Sequence, residues 1–367
     1  YLEETEHKEI QHISAISRIA EEKYVWLDKF TIRNLELVFP QHDGGVPLIQ
    51  ILDHTVTPMG SRMMKKWMVL PLKEKAPIEE RLNVVEFFHE NAILIDEILA
   101  HLRHIGDLER LISKVVVGRA NPREMNQIRR ALKAILPVKT LLKEQQNPTL
   151  KRLADQIHPC EYILEKIEKE LQEDAPMLVH QGGVIKDGVD AELDEYRNLA
   201  NKGKDFLVQI QQREIQNTGI SSLKIAFNKV FGYYLEVTHA HKDKVPQEWI
   251  RKQTLVNAER YITPELKEYE EKILNAEDRM IALEQKYFQE LVTETAQFVT
   301  QIQQNARIVG TLDALLSFAQ VALNNNYSRP MVSDTETLEI KDGRHPVIEK
   351  QLPAGEEYIP NDIYLDH

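Results

Sequence analysis

The chain has 367 residues, 42% of them hydrophobic and 28% charged, with a formal net charge of −12. That length allows two or three domains and a sizeable core, and the composition suits a soluble, helix-rich protein. No run approaches ~18 consecutive apolar residues, so no membrane span is expected, and the lone cysteine, Cys160, excludes an internal disulfide and suits a reducing compartment such as the cytoplasm.

Residues 1–22 carry Ile10, Ile13, Ile16 and Ile19 in steps of three and read as a connector-like helix without a signal-peptide pattern. Residues 24–38 are rich in β formers (Val25, Trp26, Phe30, Ile32) and read as a strand or two. Thr57-Pro58 opens a helix, with Thr57 as cap and Pro58 in the first turn, that ends before Leu70-Pro71. From Pro77 to about Gln172 nearly everything reads as helix, with breaks expected at Pro77, Asn121-Pro122, Pro137, Asn147-Pro148 and His158-Pro159. Cys160 in this body reads as an inert core thiol.

After a turn at Gly182-Gly183 to Gly188, two heptad runs bracket a short β segment. The first has Leu193, Tyr196, Ala200, Gly203, Leu207 and Ile210 and stops at Asn217-Thr218-Gly219. The second has Leu266, Tyr269, Ile273, Ala276, Met280, Leu283 and Tyr287 and is expected to run from Thr263-Pro264 to about Asn305. A period of ~3.5 is the seam of paired helices, and at ~1.5 Å per residue the first run spans about 40 Å. Between them, Leu223, Ile225 and Phe227, then Tyr233, Leu235 and Val237, alternate with polar residues as a hairpin with one apolar face, and residues 251–258 read as a third strand. Leu312, Leu315, Leu316, Ala319 and Leu323 continue the helical body, and β-like pieces punctuated by Pro346, Pro353 and Pro360 follow Asn324-Asn325-Asn326. The expected fold is mainly α: a helical core, a long antiparallel coiled-coil arm with a small antiparallel β-sheet at its tip, and a short β-rich C-terminal piece.

Catalytic signals are sparse. The chain contains no G-x-x-x-x-G-K-[ST], G-x-G-x-x-G or H-E-x-x-H run and no cysteine pair, so no catalytic residue and no metal site is assigned. His239 and His241 stand two apart on an expected strand and read as solvated, as do the carboxylates Glu268, Glu270 and Glu271 on the arm. The tip is different: residues 220–260 hold seven basic side chains against four acidic ones on an otherwise acidic chain. Lys224, Lys229, Lys242, Arg251 and Lys252, with the amide donors Asn228 and Asn257 near turns, suit a salt-sensitive, sequence-tolerant grip on phosphates. By spacing alone, a nucleic-acid grip and a protein-docking tip stand level.

The run Leu52-Asp53-His54-Thr55-Val56-Thr57-Pro58-Met59-Gly60-Ser61-Arg62-Met63 resembles the signature of the core, or lever, domain of the MutS family of DNA mismatch-recognition proteins. The likeness continues through Arg33-Asn34-Leu35-Glu36, Asp107-Leu108-Glu109-Arg110, Phe231-Gly232-Tyr233-Tyr234 and Asn257-Ala258-Glu259-Arg260-Tyr261-Ile262-Thr263-Pro264. Gly343-Arg344-His345-Pro346-Val347 resembles the entry to that family's ATPase domain.

The resemblance implies a lever over residues 1–191 and 264–327, a clamp inserted at 192–263, and the beginning of an ATPase domain at 328–367 that ends before its P-loop. It implies backbone contacts around Asn228-Lys229 and Val256-Asn257, although Val256 stands where a basic residue would be welcome. It implies that Tyr358, with Ile359 beside it, stacks on adenine in the whole protein, which would use ATP and Mg; no cofactor is expected for this piece. The implied partners are double-stranded DNA, a second copy of the chain and a MutL-type protein, in the cytoplasm at the nucleoid and with no membrane. The resemblance assigns no mismatch-reading wedge to the chain, since Phe88-His89-Glu90 and Phe288-Gln289-Glu290 fall within helical runs, and with no P-loop either, mismatch selection and ATP hydrolysis are not expected of it. A MutS relative acting in recombination and a coiled-coil adaptor are the rival readings.

Overall fold

Short polar side chains set where the helices begin. In a computed structural model that describes residues 21–228, 230, 232–353 and 355–366, Asp28 accepts a hydrogen bond from the Thr31 N–H at 2.7 Å and opens α1 (Lys29–Asn34). The expected strands over residues 24–38 therefore give way to a capped helical turn, and only Tyr24 pairs as strand, in one bridge to Leu72. The helix expected over residues 1–22 lies outside the described residues, apart from Glu21 and Glu22 in a single 3-10 turn (Glu21–Lys23).

α2 (Leu48–Leu52) precedes α3 (Pro58–Val69), where the Thr57 hydroxyl accepts the Gly60 N–H at 3.0 Å and Pro58 fills the first turn, as expected. α4 (Lys75–Glu90), α5 (Ala92–Leu102), α6 (Leu108–Val116), α7 (Pro122–Glu144), α8 (Pro148–Gln156) and α9 (Glu161–Glu170) follow. Two expected breaks are absent. Pro77 sits in the first turn of α4, where no N–H is needed, and Pro137 lies inside a continuous α7. Leu132, Ile135, Val138 and Leu142 are buried on both sides of Pro137, and that packing outweighs the lost backbone hydrogen bond.

Next come α10 (Ala191–Thr218), a four-stranded sheet of β1 (Lys224–Asn228), β2 (Gly232–Thr238), β3 (Ile250–Thr254) and β4 (Ala258–Ile262), then α11 (Pro264–Ala296) and α12 (Val299–Asn325). The return helix does not reach Asn305: Gln297 and Phe298 separate α11 from α12, which is one helix through the region after Ile308. The C-terminal piece pairs β5 (Leu338–Gly343) with β6 (Asn361–Leu365). Between them Pro346 starts a helix, α13 (Pro346–Gln351), and not a β piece, because the His345 ring accepts the Val347 and Ile348 N–H groups at 3.3 Å.

The described chain divides into two compact units: one of residues up to Ala120, Glu124–Ile167 and Val292 onward, the other of Asn121–Arg123 and Glu168–Leu291. α12 is the core helix of the first. Its length and mean hydropathy of 1.4 over the most apolar stretch would suit a membrane span, but 67% of that stretch is buried inside the protein. Its buried polar side chains also fasten loops. Asp313 accepts the Thr57 N–H at 2.8 Å, the Thr57 hydroxyl at 2.7 Å and the Val56 N–H at 3.1 Å. Burial pushes its carboxyl pKa up, against the pull of those hydrogen bonds. Ser317 accepts the His54 N–H at 2.8 Å and donates to the Leu52 carbonyl at 2.7 Å. A Cβ on Gly60 would lie 2.2 Å from Asp313 Oδ2, so the Leu52–Met63 run is the surface on which α12 seats. Cys160 is buried, and desolvation pushes its thiol to about 11, as an inert core residue requires.

Candidate nucleic-acid interface

The second unit starts from the pairing of α10 with α11. They run antiparallel, stapled by Lys204–Glu277 at 2.7 Å, by Arg197–Glu284 at 2.6 Å and by stacking of Phe206 on Tyr269 at 3.8 Å. Leu193, Ala200, Gly203, Leu207 and Ile210 of α10 and Leu266, Ile273 and Ala276 of α11 are buried, while Tyr196 and Tyr269 of the expected seam are half-buried. The helices approach closely at Gly203, where a Cβ would lie 2.3 Å from Ile273 Cγ1. Beyond Ala276 the expected heptad fails. Leu283 and Tyr287 are only half-buried, and Glu284, Phe288 and Leu291 take the buried positions. Glu284 is fully buried and satisfied by Arg197 and by the Val184 N–H at 3.0 Å. Such a buried ion pair fixes register at a cost in stability.

The sheet sits where α10 ends and α11 begins. Gly219, at φ 65°, stops α10, and the Thr263 hydroxyl accepts the Leu266 N–H at 3.1 Å to start α11. All four strands pair antiparallel in the order β1-β2-β4-β3, so β1 and β3 are edges. The third strand expected over residues 251–258 is in fact two, because Leu255 N–H bonds the Ala258 carbonyl at 2.8 Å and turns the chain. One face of the sheet, through Leu235, Val237 and Tyr261, joins Trp249, Ile220 and Leu223 over Leu207, Leu266 and Ile273. The other face carries a polar row across all four strands: Lys224 beside Glu236, Glu236 beside Arg260, Arg260 beside Gln253. Arg260 is engaged there, donating to Glu236 at 3.0 Å and Gln253 at 2.9 Å and lying 4.3 Å over the Tyr234 ring.

The sequence-predicted contact residues fall in three places. Lys224 and Lys252 are exposed on the two edge strands and have no carboxylate partner among the described residues. Lys242 and Arg251 gather instead on Glu259, at 3.2 and 3.4 Å. Glu259 is 3% exposed and also accepts the Tyr261 hydroxyl. That hydroxyl, then its own desolvation in opposition, then Lys242, govern its carboxyl, which is held below the ordinary value. Burial, reinforced by Glu259, pushes Tyr261 to about 12. Asn228 and Asn257 mark the two hairpin turns, but these lie at opposite ends of the sheet, because β2 and β4 run antiparallel. Six residue steps at ~3.3 Å put the turns about 20 Å apart. Lys229 lies outside the described residues. Asn228 Oδ1 accepts the Val230 N–H at 2.7 Å, and the turn residues Val230 and Val256 are 78% and 92% exposed.

Two expectations about neighbouring polar residues are corrected. His239 and His241 lie in a short 3-10 helix (His239–Lys244), not on one strand face, and His239 contacts the Leu255 carbonyl at 3.0 Å. Glu270 is not a free surface charge: it accepts the Tyr233 N–H at 2.7 Å and fills the space that a Cβ on Gly232, at φ 76°, would need. Neither role is visible in spacing, since each joins residues distant in sequence. In the first unit, Tyr358 is half-buried and Ile359 is 80% exposed, immediately before β6. Among the described residues no cluster of His, Cys, Asp or Glu fits a metal ion.

Comparison with known proteins follows the same path. A family model described as MutS domain III matches residues 30–319. The proteins named DNA mismatch repair protein MutS of Cytophaga hutchinsonii, Bacteroides fragilis and Bacteroides thetaiotaomicron are 62%, 57% and 56% identical to this chain. Each match covers 100% of this chain but 43%, 43% and 42% of the relative, so the chain spans less than half the length of the curated relatives it matches. A helical unit seated on the Leu52–Met63 run, an arm with a sheet at its end, and matches along the whole chain agree: this chain belongs to the MutS domain III family.

Proposed function

We propose that the sheet grips the phosphate backbone of duplex DNA without reading bases, and that α10 and α11 transmit movement between that grip and an ATPase domain of the whole protein. The observation that carries the first part is the pair of edge lysines, Lys224 and Lys252, left uncompensated. Lys242 and Arg251 instead share one buried carboxylate. Contacts of that kind position a protein on DNA and are tolerant of sequence. The second part rests on the tight Gly203–Ile273 seam and the buried Arg197–Glu284 pair. Packed helices of this kind shift as units.

The whole protein, on this reading, is a mismatch-repair ATPase that binds ATP and Mg, pairs with a second copy, encloses mismatch-containing DNA and signals to a MutL-type partner in the cytoplasm at the nucleoid. Tyr358 and Ile359 would then contribute to its adenine site. The relatives named above are all called mismatch-repair proteins, which favours this reading over the recombination alternative.

The test is duplex binding across a salt series. Lys224→Gln and Lys252→Gln should each weaken binding equally on matched and mismatched duplex and each reduce the slope of log K against log salt by about 1. Binding that ignores salt, or a loss confined to mismatched duplex, overturns the grip. Leu207→Gly in the whole protein should uncouple ATP-dependent DNA release; unchanged release overturns the transmission.

A further inference from the structure

The helical unit contains a pocket that no part of this reading uses. It has a volume of about 250 Å³ and lies between α3, α4, α8 and α12. Four cations line it, Lys66, Arg81, Arg152 and Arg307, together with Trp67, Thr149 and Thr311, against one carboxylate, Glu80. Glu80 is already committed, to Arg152 and to the Thr149 hydroxyl at 3.0 Å. Lys66, Arg81 and Arg307 have no carboxylate partner among the described residues. Arg81 is the unusual one. Its guanidinium lies 3.7 Å over the Trp67 ring, makes no hydrogen bond among the described residues, and is half-buried.

The attraction of Glu80, which is shared with Arg152, only partly offsets the cost of half-burying this guanidinium, since desolvation disfavours the charged form. That desolvation pulls Arg81 down to about 10. Stacking on Trp67 covers one face of the fork and leaves its edge free for bidentate hydrogen bonding, the arrangement that suits phosphate oxygens. Arg81 covers one face of the Trp67 ring and Phe318 stacks with the same ring at 6.3 Å, which leaves little of it for a base.

We propose that this pocket binds the phosphate or pyrophosphate group of a small molecule, with Arg81 as the central ligand and Lys66 and Arg307 completing the charge. The inference is independent of the DNA grip, because its residues belong to the other compact unit.

The test uses the 367-residue chain and inorganic pyrophosphate, titrated by calorimetry at constant ionic strength with chloride as the control anion. Wild-type protein should bind pyrophosphate at least tenfold more tightly than Arg81→Gln, and Arg307→Gln should lose several-fold. Arg307 is exposed, so that variant keeps the test valid if Arg81→Gln folds poorly. Duplex affinity should be the same in wild type and Arg307→Gln. Pyrophosphate binding no tighter than chloride, or full binding by Arg307→Gln, overturns the proposal. A parallel loss of duplex binding overturns it in favour of an extended DNA surface.

Discussion

Gly203→Ala separates two opposed effects at a close approach of the two arm helices. In an exposed helix interior the change would stabilise, since alanine is better than glycine by about 1 kcal/mol. Here the new methyl would lie 2.3 Å from Ile273 Cγ1 and 2.9 Å from its Cδ1, far inside normal contact. Ile273 is fully buried in the cluster beneath the sheet and can yield only by displacing packed neighbours. Overpacking of a closed core costs ~1–3 kcal/mol; the depth of this overlap puts it near the upper end, so the net is a loss of about 1–2 kcal/mol. Native-state hydrogen exchange of α10 and α11 amides reads this directly, and local opening should become roughly fivefold to thirtyfold more frequent. Ile273→Ala alone should cost ~2–5 kcal/mol through its cavity. In the double variant the alanine methyl occupies part of that cavity, so the summed losses should exceed the measured one by at least about 1 kcal/mol. Slower exchange in Gly203→Ala, or simple additivity with Ile273→Ala, would refute close approach of the helices.

Three further outcomes are expected. Asp313→Ala strands the Val56 and Thr57 N–H groups and the Thr57 hydroxyl; each buried donor left unpaired costs about 1–3 kcal/mol, so calorimetry should show the helical unit melting well below wild type, and an unchanged melting temperature would deny Asp313 its role. Tyr261, held at about 12 in the folded state against an ordinary 10, keeps its proton longer when folded than when unfolded. The sheet unit should therefore hold its stability up to pH 10 and lose it progressively towards 12, with Trp249, whose ring lies 6.0 Å from that of Tyr261, as fluorescent reporter. Tyr233 and Tyr287 in the same unit are also held above their ordinary values, so Tyr261→Phe should reduce that alkaline decline and not abolish it, and the same decline in both proteins would assign it elsewhere. Glu270→Ala frees the Tyr233 N–H from a charge-assisted bond worth ~1.5–3 kcal/mol and should speed exchange of that amide while leaving α12 unaffected; protection as strong as in wild type would mean the hairpin is held by its own pairing alone.

The sequence by itself determined the elements whose causes are local. Thr57-Pro58, Asn217-Thr218-Gly219 and Thr263-Pro264 start or stop helices through groups a few residues apart, and each boundary stands where the pattern puts it. The alternating apolar residues of the first hairpin likewise specify the buried face at Leu223, Leu235 and Val237, although Phe227 on that face is exposed and Tyr234 on the other is buried, and Lys224 and Lys252 are exposed. Only the tertiary structure decided the rest. Arg251, by the antiparallel register of β3 with β4, and Lys242, from the 3-10 helix after β2, are both brought onto Glu259, which no single element encodes. Glu284 replaces Leu283 in the seam because Arg197 on the facing helix is there to receive it. Glu270, unremarkable on its own helix, holds a strand 37 residues away. Caps and periodicity are short-range physics carried by neighbouring residues; which charge meets which, and which stays free for a ligand, is settled by contacts that exist only once the chain has folded.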